Sequence, residues 1–272
     1  MAVVPNWLKS PVRSLLLDIS GVLYTGGEGD GTPVPGSVDA VKRLQESKLN
    51  FRFCSNESQQ TRRSLVSKLN RLGFNLQESQ VITPAPLVVS VLRERNLRPY
   101  LLTTPDAAQD FAEVSQDNPN CVVVADAEKS FTYENMNAAF RVLMGQEKRI
   151  ILSMGMGKFY KDDAGLMLDL GAFTKALEYA CDTEAEIVGK PSKTYYETAL
   201  RDMGARAEET IMIGDDIVSD VGGAQKCGMR GVQVRTGKWQ PSWENHPTVR
   251  PDAIVNDLAE AIDLILQHHD KN

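Results

Sequence analysis

The sequence predicts an α/β protein built on a doubly wound parallel sheet and carrying a second, smaller α/β domain. Three observations predict it. Apolar runs of strand length, residues 14–17 and 210–213 foremost, carry no charge, as in strands buried on both faces. Such runs alternate with amphipathic helical segments, the rhythm of a parallel sheet. Between residues 86 and 187 the alternation restarts as a self-contained set. The core is therefore read as 1–85 with 188–272, and the inserted α/β domain as 86–187.

In order, residues 14–17 (Ser-Leu-Leu-Leu) form the first strand, with Asp18 at its exit and Gly21 three residues on. A lone carboxylate there is costly unless it caps, pairs or coordinates. The glycine-rich stretch 26–36 is a loop. A helix over 37–47 puts Val38, Val41 and Leu44 on one stripe. The strand 49–54 ends at Ser55-Asn56, and a long helix begins near Glu57 and stops at Gly73. A further helix runs from Val81 to Leu97. Strands at 100–102, 121–125 and 150–153 then alternate with helices at 107–114, 135–144 and 171–181. Residues 185–188 run into Gly189-Lys190-Pro191, followed by a helix over 193–203. The strand 210–213 ends in Gly214-Asp215-Asp216, with Asp220 shortly after. Strands at 231–234 and 253–255 and a helix over 258–268 complete the alternation.

Composition excludes several classes. A net charge of −6 argues against nucleic acid as a partner, because that footprint needs a basic patch. Four scattered cysteines with no CxxC pair point to reduced thiols in a cytosolic protein. Residues 1–13 lack a secretory signal pattern, and no uncharged apolar run is long enough to span a membrane. Asn56-Glu57-Ser58 is then a chance match to a glycosylation site. Gly155-Met156-Gly157 lacks the third glycine of a dinucleotide fingerprint, and no Walker A sequence is present. The His268-His269 pair suits the last turn of a helix better than a metal site.

Four strand exits carry polar groups of complementary kinds: Asp18, Ser55-Asn56, Lys190, and Asp215 with Asp216 and Asp220. Singly each has a plain reading. Ser55 could cap a helix, Lys190 could be solvated, and the aspartates could form a turn. Together they make chemical sense. Two carboxylates from separate strands can hold Mg²⁺, which prefers oxygen ligands. A hydroxyl and backbone amides at a helix start suit a phosphate. A lysine balances charge on a transferring group, leaving Asp18 free to attack phosphorus.

Asp18-x-Ser20-Gly21-Val22-Leu23-Tyr24, Phe53-Cys54-Ser55-Asn56, Gly189-Lys190-Pro191 and Gly214-Asp215-Asp216-x-x-x-Asp220 resemble, in order, the four motifs of haloacid-dehalogenase-superfamily phosphatases. Between Asp18 and Ser55 lie 36 residues, too few for a cap domain, whereas 134 lie between Ser55 and Lys190. That placement is similar to the branch with an α/β (C2-type) cap, which includes phosphoglycolate and 4-nitrophenyl phosphatases. The resemblance implies a Rossmann-like core and an aspartyl-phosphate on Asp18. It implies Mg²⁺ held by Asp18, Asp215 and the Ser20 carbonyl. Substrate would be held by Asp18, Ile19, Ser20, Ser55, Asn56 and Lys190, with Lys190 acting with Asp18 in catalysis. Asp216 and Asp220 are candidates for holding a metal-bound water, orienting Lys190 or capping the next helix. A homodimer and a cytoplasmic, and also nuclear, location are implied by the resemblance as well.

One position departs from the family pattern. Most phosphatases of this superfamily have a second Asp two residues after the nucleophile, as general acid for the leaving oxygen, and here that residue is Ser20. General acid catalysis is worth about 10²–10⁴-fold. The sequence therefore points to leaving groups that need little protonation. A phosphate leaving from pyrophosphate, or an amine or imidazole leaving from a P–N bond, is of that kind, and it is the resemblance that implies phospholysine, phosphohistidine and imidodiphosphate as the P–N substrates. The alternatives are a catalytically silent Mg²⁺- and phosphate-binding protein, and an ordinary small-molecule phosphomonoesterase.

Overall fold

Ser14–Leu17 is buried at all four positions, and Leu15, Leu16 and Leu17 are sealed from solvent. Each such leucine stabilises the fold by about 1.5–3 kcal/mol. The computed structural model describes residues 5–26, 29–162 and 165–269. Positions 27 and 28 of the loop expected over 26–36 lie outside them.

The elements are β1 (Ser14–Leu17), β2 (Tyr24–Thr25), β3 (Thr32–Pro33), α1 (Ser37–Glu46), β4 (Asn50–Cys54), α2 (Arg62–Arg71), β5 (Val81–Ile82), α3 (Pro84–Glu94), β6 (Pro99–Leu102), β7 (Cys121–Val124), α4 (Tyr133–Met144), β8 (Ile151–Ser153), β9 (Phe159–Asp162), β10 (Gly165–Leu168), α5 (Leu170–Cys181), β11 (Glu186–Ile187), α6 (Lys193–Met203), β12 (Thr210–Gly214), α7 (Gly223–Lys226), β13 (Arg230–Val234), β14 (Ala253–Val255) and α8 (Leu258–His269). A π-helical turn, Ile217–Gly222, leads into α7. The chain divides into two compact units. One takes Met1–Ser55, Val66–Ile82 and Tyr196–Asn272, and the other Asn56–Leu65 and Thr83–Tyr195.

The first unit holds a six-stranded parallel sheet in the order β14-β13-β12-β1-β4-β5. The chain leaves β1 toward β4 on one side and returns to β12 on the other, so the strand order reverses at β1. In open α/β sheets that reversal marks the crevice where ligands bind, outside the carboxyl ends of the strands. Leu17 lies opposite both Phe53 and Ile213, so Asp18, Ser55 and Asp215 follow strands that end at one edge.

The second unit has a four-stranded parallel sheet in the order β11-β8-β7-β6 and an antiparallel hairpin, β9–β10. β7 is buried throughout. Its Val123 packs in a cluster with Leu152, Met154 and Val188, and its Val122 and Val124 pack in another with Leu102 and Ile151. That alternation is the two-residue period of a strand covered on both faces.

Some expected boundaries move. Val81–Ile82 is a strand, pairing Phe53 with Val81 and Cys54 with Ile82, and α3 starts only at Pro84. Proline lacks an N–H and has a preset φ, which suits a first helical turn. The helix expected from Glu57 begins at Arg62, because the backbone before it is taken up by hydrogen bonds to distant residues. The helix expected over 107–114 is a 3₁₀ segment, Ala107–Phe111. The β2–β3 pair and the β9–β10 hairpin were not expected. β10 leaves Leu166 and Leu168 exposed, so it lacks the buried alternating face that marks a strand in sequence. None of the four cysteines is in a disulfide, and burial pushes the Cys121 thiol up to about 12. Among the described residues, no helix is long and apolar enough to cross a membrane.

Candidate active site

Asp18 and Asp215 follow β1 and β12, neighbouring parallel strands, and the Asp18 N–H donates to Ile213 O at 2.9 Å. Asp220 comes from the π-helical turn just beyond β12. Each of the three offers a carboxylate oxygen, these oxygens lie within 4.8 Å of one another, and all three residues are buried. The Asp215 carboxyl is pushed well above the usual carboxylate range, first by burial and then by the charges of Asp18 and Asp220. Like charges gathered in low dielectric oppose ionisation unless a cation joins them. A donor set made only of carboxylate oxygens fits a hard divalent cation such as Mg²⁺.

The backbone around Asp215 is built to this carboxylate. Its Oδ2 accepts the Lys238 N–H at 2.8 Å. A Cβ on Gly21 would stand 2.1 Å from that oxygen, and one on Gly237 2.0 Å from it, so both turns need glycine for close approach. The Thr236 hydroxyl donates to Gly21 O and ties the two turns together. Behind them, the fully buried Gln233 donates to Asp215 O at 2.7 Å.

The other two aspartates divide their work. Asp216 Oδ1 accepts the N–H groups of Val218 and Ser219 at 3.0 and 2.9 Å, which makes it the cap of the π-helical turn. Asp220 is the one that joins Asp18 and Asp215. Its Oδ2 also accepts the Asp216 N–H at 3.0 Å, and Gly214 leaves room for it, since a Cβ there would lie 2.2 Å from Oδ2. The fully buried Tyr196 directs its hydroxyl to Ser219 O at 2.7 Å, steadying the same turn.

Ile19 is buried, and its carbonyl accepts the Leu23 N–H at 2.8 Å. Ser20 is exposed on the following turn, bridging to Tyr24. Ser55 is buried just past β4, and its N–H donates to Ile82 O at 3.0 Å. Asn56 and Lys190, both in the second unit, are joined by two hydrogen bonds. Asn56 Nδ2 donates to Lys190 O at 2.8 Å, and the Lys190 N–H donates to Asn56 Oδ1 at 2.7 Å. Lys190 is only 3% exposed, and a buried lysine calls for anionic company. The structure thus gathers Asp18, Asp215 and Asp220 in one cluster and couples Asn56 to Lys190 in a second. Gln233, Tyr196, Thr236 and Lys238, which contribute through backbone groups or from behind, left no motif in the sequence.

Two family models match the chain: a haloacid dehalogenase-like hydrolase model over residues 15–116 and a HAD-hydrolase-like model over 187–261. A phospholysine phosphohistidine inorganic pyrophosphate phosphatase of Homo sapiens is 56% identical over 260 residues, covering 96% of each chain. The protein of the same name from Danio rerio is 54% identical over 261 residues, again covering 96% of each. Among solved structures, a 4-nitrophenylphosphatase from Thermotoga maritima superposes with a TM-score of 0.83 at 24% identity, covering 93% of this chain and 97% of that one, a likeness of fold. The chain accordingly belongs to the haloacid dehalogenase-like hydrolases, as an enzyme of their phosphatase class.

Proposed function

We propose that this phosphatase is Mg²⁺-dependent and cleaves the P–N bonds of phosphohistidine, phospholysine and imidodiphosphate and the P–O–P bond of pyrophosphate. The observation that carries this reading is Ser20, two residues after the nucleophile Asp18. With no carboxylic acid there, a substrate whose leaving group departs without strong protonation is favoured over an alkyl ester. The names of the relatives that match nearly the whole chain agree with it.

In this mechanism an Asp18 carboxylate oxygen attacks phosphorus and forms an aspartyl-phosphate as the P–N or P–O bond breaks. A nitrogen leaving group, already carrying its proton in the substrate, departs as a neutral amine or imidazole, and pyrophosphate releases phosphate, each with the bonding electron pair. Water then cleaves the acyl phosphate, returning Asp18 and releasing inorganic phosphate. Ser55, Asn56 and the backbone at Ile19 and Ser20 grip the phosphoryl oxygens, and Lys190 offsets their charge. Mg²⁺, when bound by Asp18, Asp215 and the Ser20 carbonyl with Asp220 close by, supplies Lewis-acid stabilisation of the phosphoryl charge. The inserted α/β domain expected over 86–187, which falls within the second unit, serves as the cap, and the assembly is a homodimer.

The test is phosphate release from pyrophosphate, imidodiphosphate, phosphohistidine and 4-nitrophenyl phosphate, with Asp18→Asn and chelation as controls. Preference for the P–N and P–O–P substrates, abolished by both controls, supports the reading. Preference for the aryl ester favours an ordinary phosphomonoesterase, and release from none favours a silent phosphate-binding protein.

A further inference from the structure

We propose that Asp126 is a positioning residue for Asn56, acting through a strap of the chain laid across the carboxyl edge of the second unit's sheet. The proposal rests on the phosphatase reading, in which Asn56 grips the phosphoryl group.

The second sheet runs β11-β8-β7-β6, and residues 56–61 meet its strand exits in that order. Asn56 bonds twice to Lys190, just past β11. It also packs so closely on the residue after Met154, past β8, that a Cβ on Gly155 would stand 3.1 Å from its Nδ2. Past β7, the Asp126 N–H donates to Ser58 Oγ at 2.9 Å, and Gln59 Nε2 donates to Asp126 Oδ2 at 2.9 Å. Past β6, the Thr104 hydroxyl donates to Gln59 O, and Asp106 Oδ2 accepts the Thr61 N–H at 3.0 Å. In an open parallel sheet this edge is where a ligand would bind. Here the chain's own segment fills it.

Asp126 is the anchor of the strap. It is only 6% exposed, and its second oxygen accepts the Glu128 N–H at 3.1 Å. A buried carboxylate needs those donors, so the side chain and the strap depend on each other. Burial pushes its carboxyl above the usual range, while the Gln59 and Glu128 hydrogen bonds pull it back. Without the Asp126 carboxylate, Gln59 loses its hold three residues from Asn56, leaving the strap only the backbone N–H of residue 126 on Ser58, and the amide that grips substrate is misplaced.

The experiment compares the Mg²⁺-loaded full chain with Asp126→Ala, Gln59→Ala and the double variant Gln59→Glu/Asp126→Asn. The double variant exchanges donor and acceptor at constant charge. Asp126→Ala should lower kcat on imidodiphosphate about ten- to a hundredfold, the scale of a misplaced positioning group. Amide exchange over 57–61 should quicken, Mg²⁺ affinity should hold, and the double variant should recover most of the loss. Faster exchange with unchanged kcat overturns the proposal, and so does a kcat loss that the double variant fails to recover. If Asp126→Ala does not fold, Gln59→Ala carries the same readouts. A wild-type protein that turns over no substrate would sink the phosphatase reading instead. Inorganic phosphate affinity then decides the strap: weakened by Asp126→Ala and restored in the double variant supports it, unchanged overturns it.

Discussion

Gly21 and Asp215 approach so closely that a single added carbon on the glycine would stand 2.1 Å from the Asp215 carboxylate. The turn that follows β1 is thereby closed down on the acidic group that follows β12. At φ +82°, Gly21 also holds a backbone conformation that costs other residues about 1–2 kcal/mol. Gly21→Ala should therefore leave the protein folded, with Tm lowered by only a few degrees, yet cut Mg²⁺-dependent turnover about a hundredfold, as a displacement near 1 Å at a reacting group does. Paired melting curves and kcat values check this, and wild-type turnover in the variant contradicts it.

Divalent metal should stabilise the fold, because the three clustered carboxylates repel one another when ionised without it. At Mg²⁺ a hundredfold above its dissociation constant, the gain should be about 2.7 kcal/mol by mass action. Thermal denaturation with and without EDTA measures it. Asp215→Asn should lose most of the gain, and Asp216→Ala, which removes a helical cap, should keep it while lowering the baseline stability by about 1 kcal/mol.

Ser20→Asp should restore a proton donor for poor leaving groups. Turnover of an alkyl phosphomonoester should rise by about 10²-fold relative to imidodiphosphate. A ratio of kcat/KM values unchanged from wild type would remove leaving-group chemistry as the reason for Ser20.

Asp126 predicts a pH dependence of stability. Burial raises its carboxyl above the ordinary value of 3.8, so the folded state holds the proton more tightly than the unfolded state. The stabilising contribution is then full below that ordinary value and is lost as pH rises through the raised one. Urea denaturation from pH 4 upward, compared with Asp126→Asn, should show the balance moving in the variant's favour as pH increases. A constant difference would contradict the shift.

Much of this was legible in sequence because the signals were local. The uncharged run Leu15-Leu16-Leu17 announced a strand buried on both faces, and Asp18 and Asp215 stood out as carboxylates at strand exits. The Thr83-Pro84 helix start was also written locally, in the proline, though the apolar Val81-Ile82 before it masked the boundary. What could not be read was non-local. The start of α2 at Arg62 depends on Thr104 and Asp106, more than forty residues away. Gln233 reaches Asp215 through a side chain that carries no motif, and Tyr196 does the same for the π-helical turn. Asp216 and Asp220, equivalent in sequence, were separated only by where their oxygens point.

The central claim is that Asp18 carries the phosphoryl group, and trapping it is the most direct measurement. Enzyme turning over imidodiphosphate with Mg²⁺ is quenched in acid and digested, and the peptide spanning residues 14–24 is weighed. One phosphoryl group on Asp18, lost on mild alkaline treatment and absent in Asp18→Asn, is the predicted result. Full turnover with no covalent phosphoryl on that peptide at any quench time, or with the label on Asp215 or Asp220, would contradict the account.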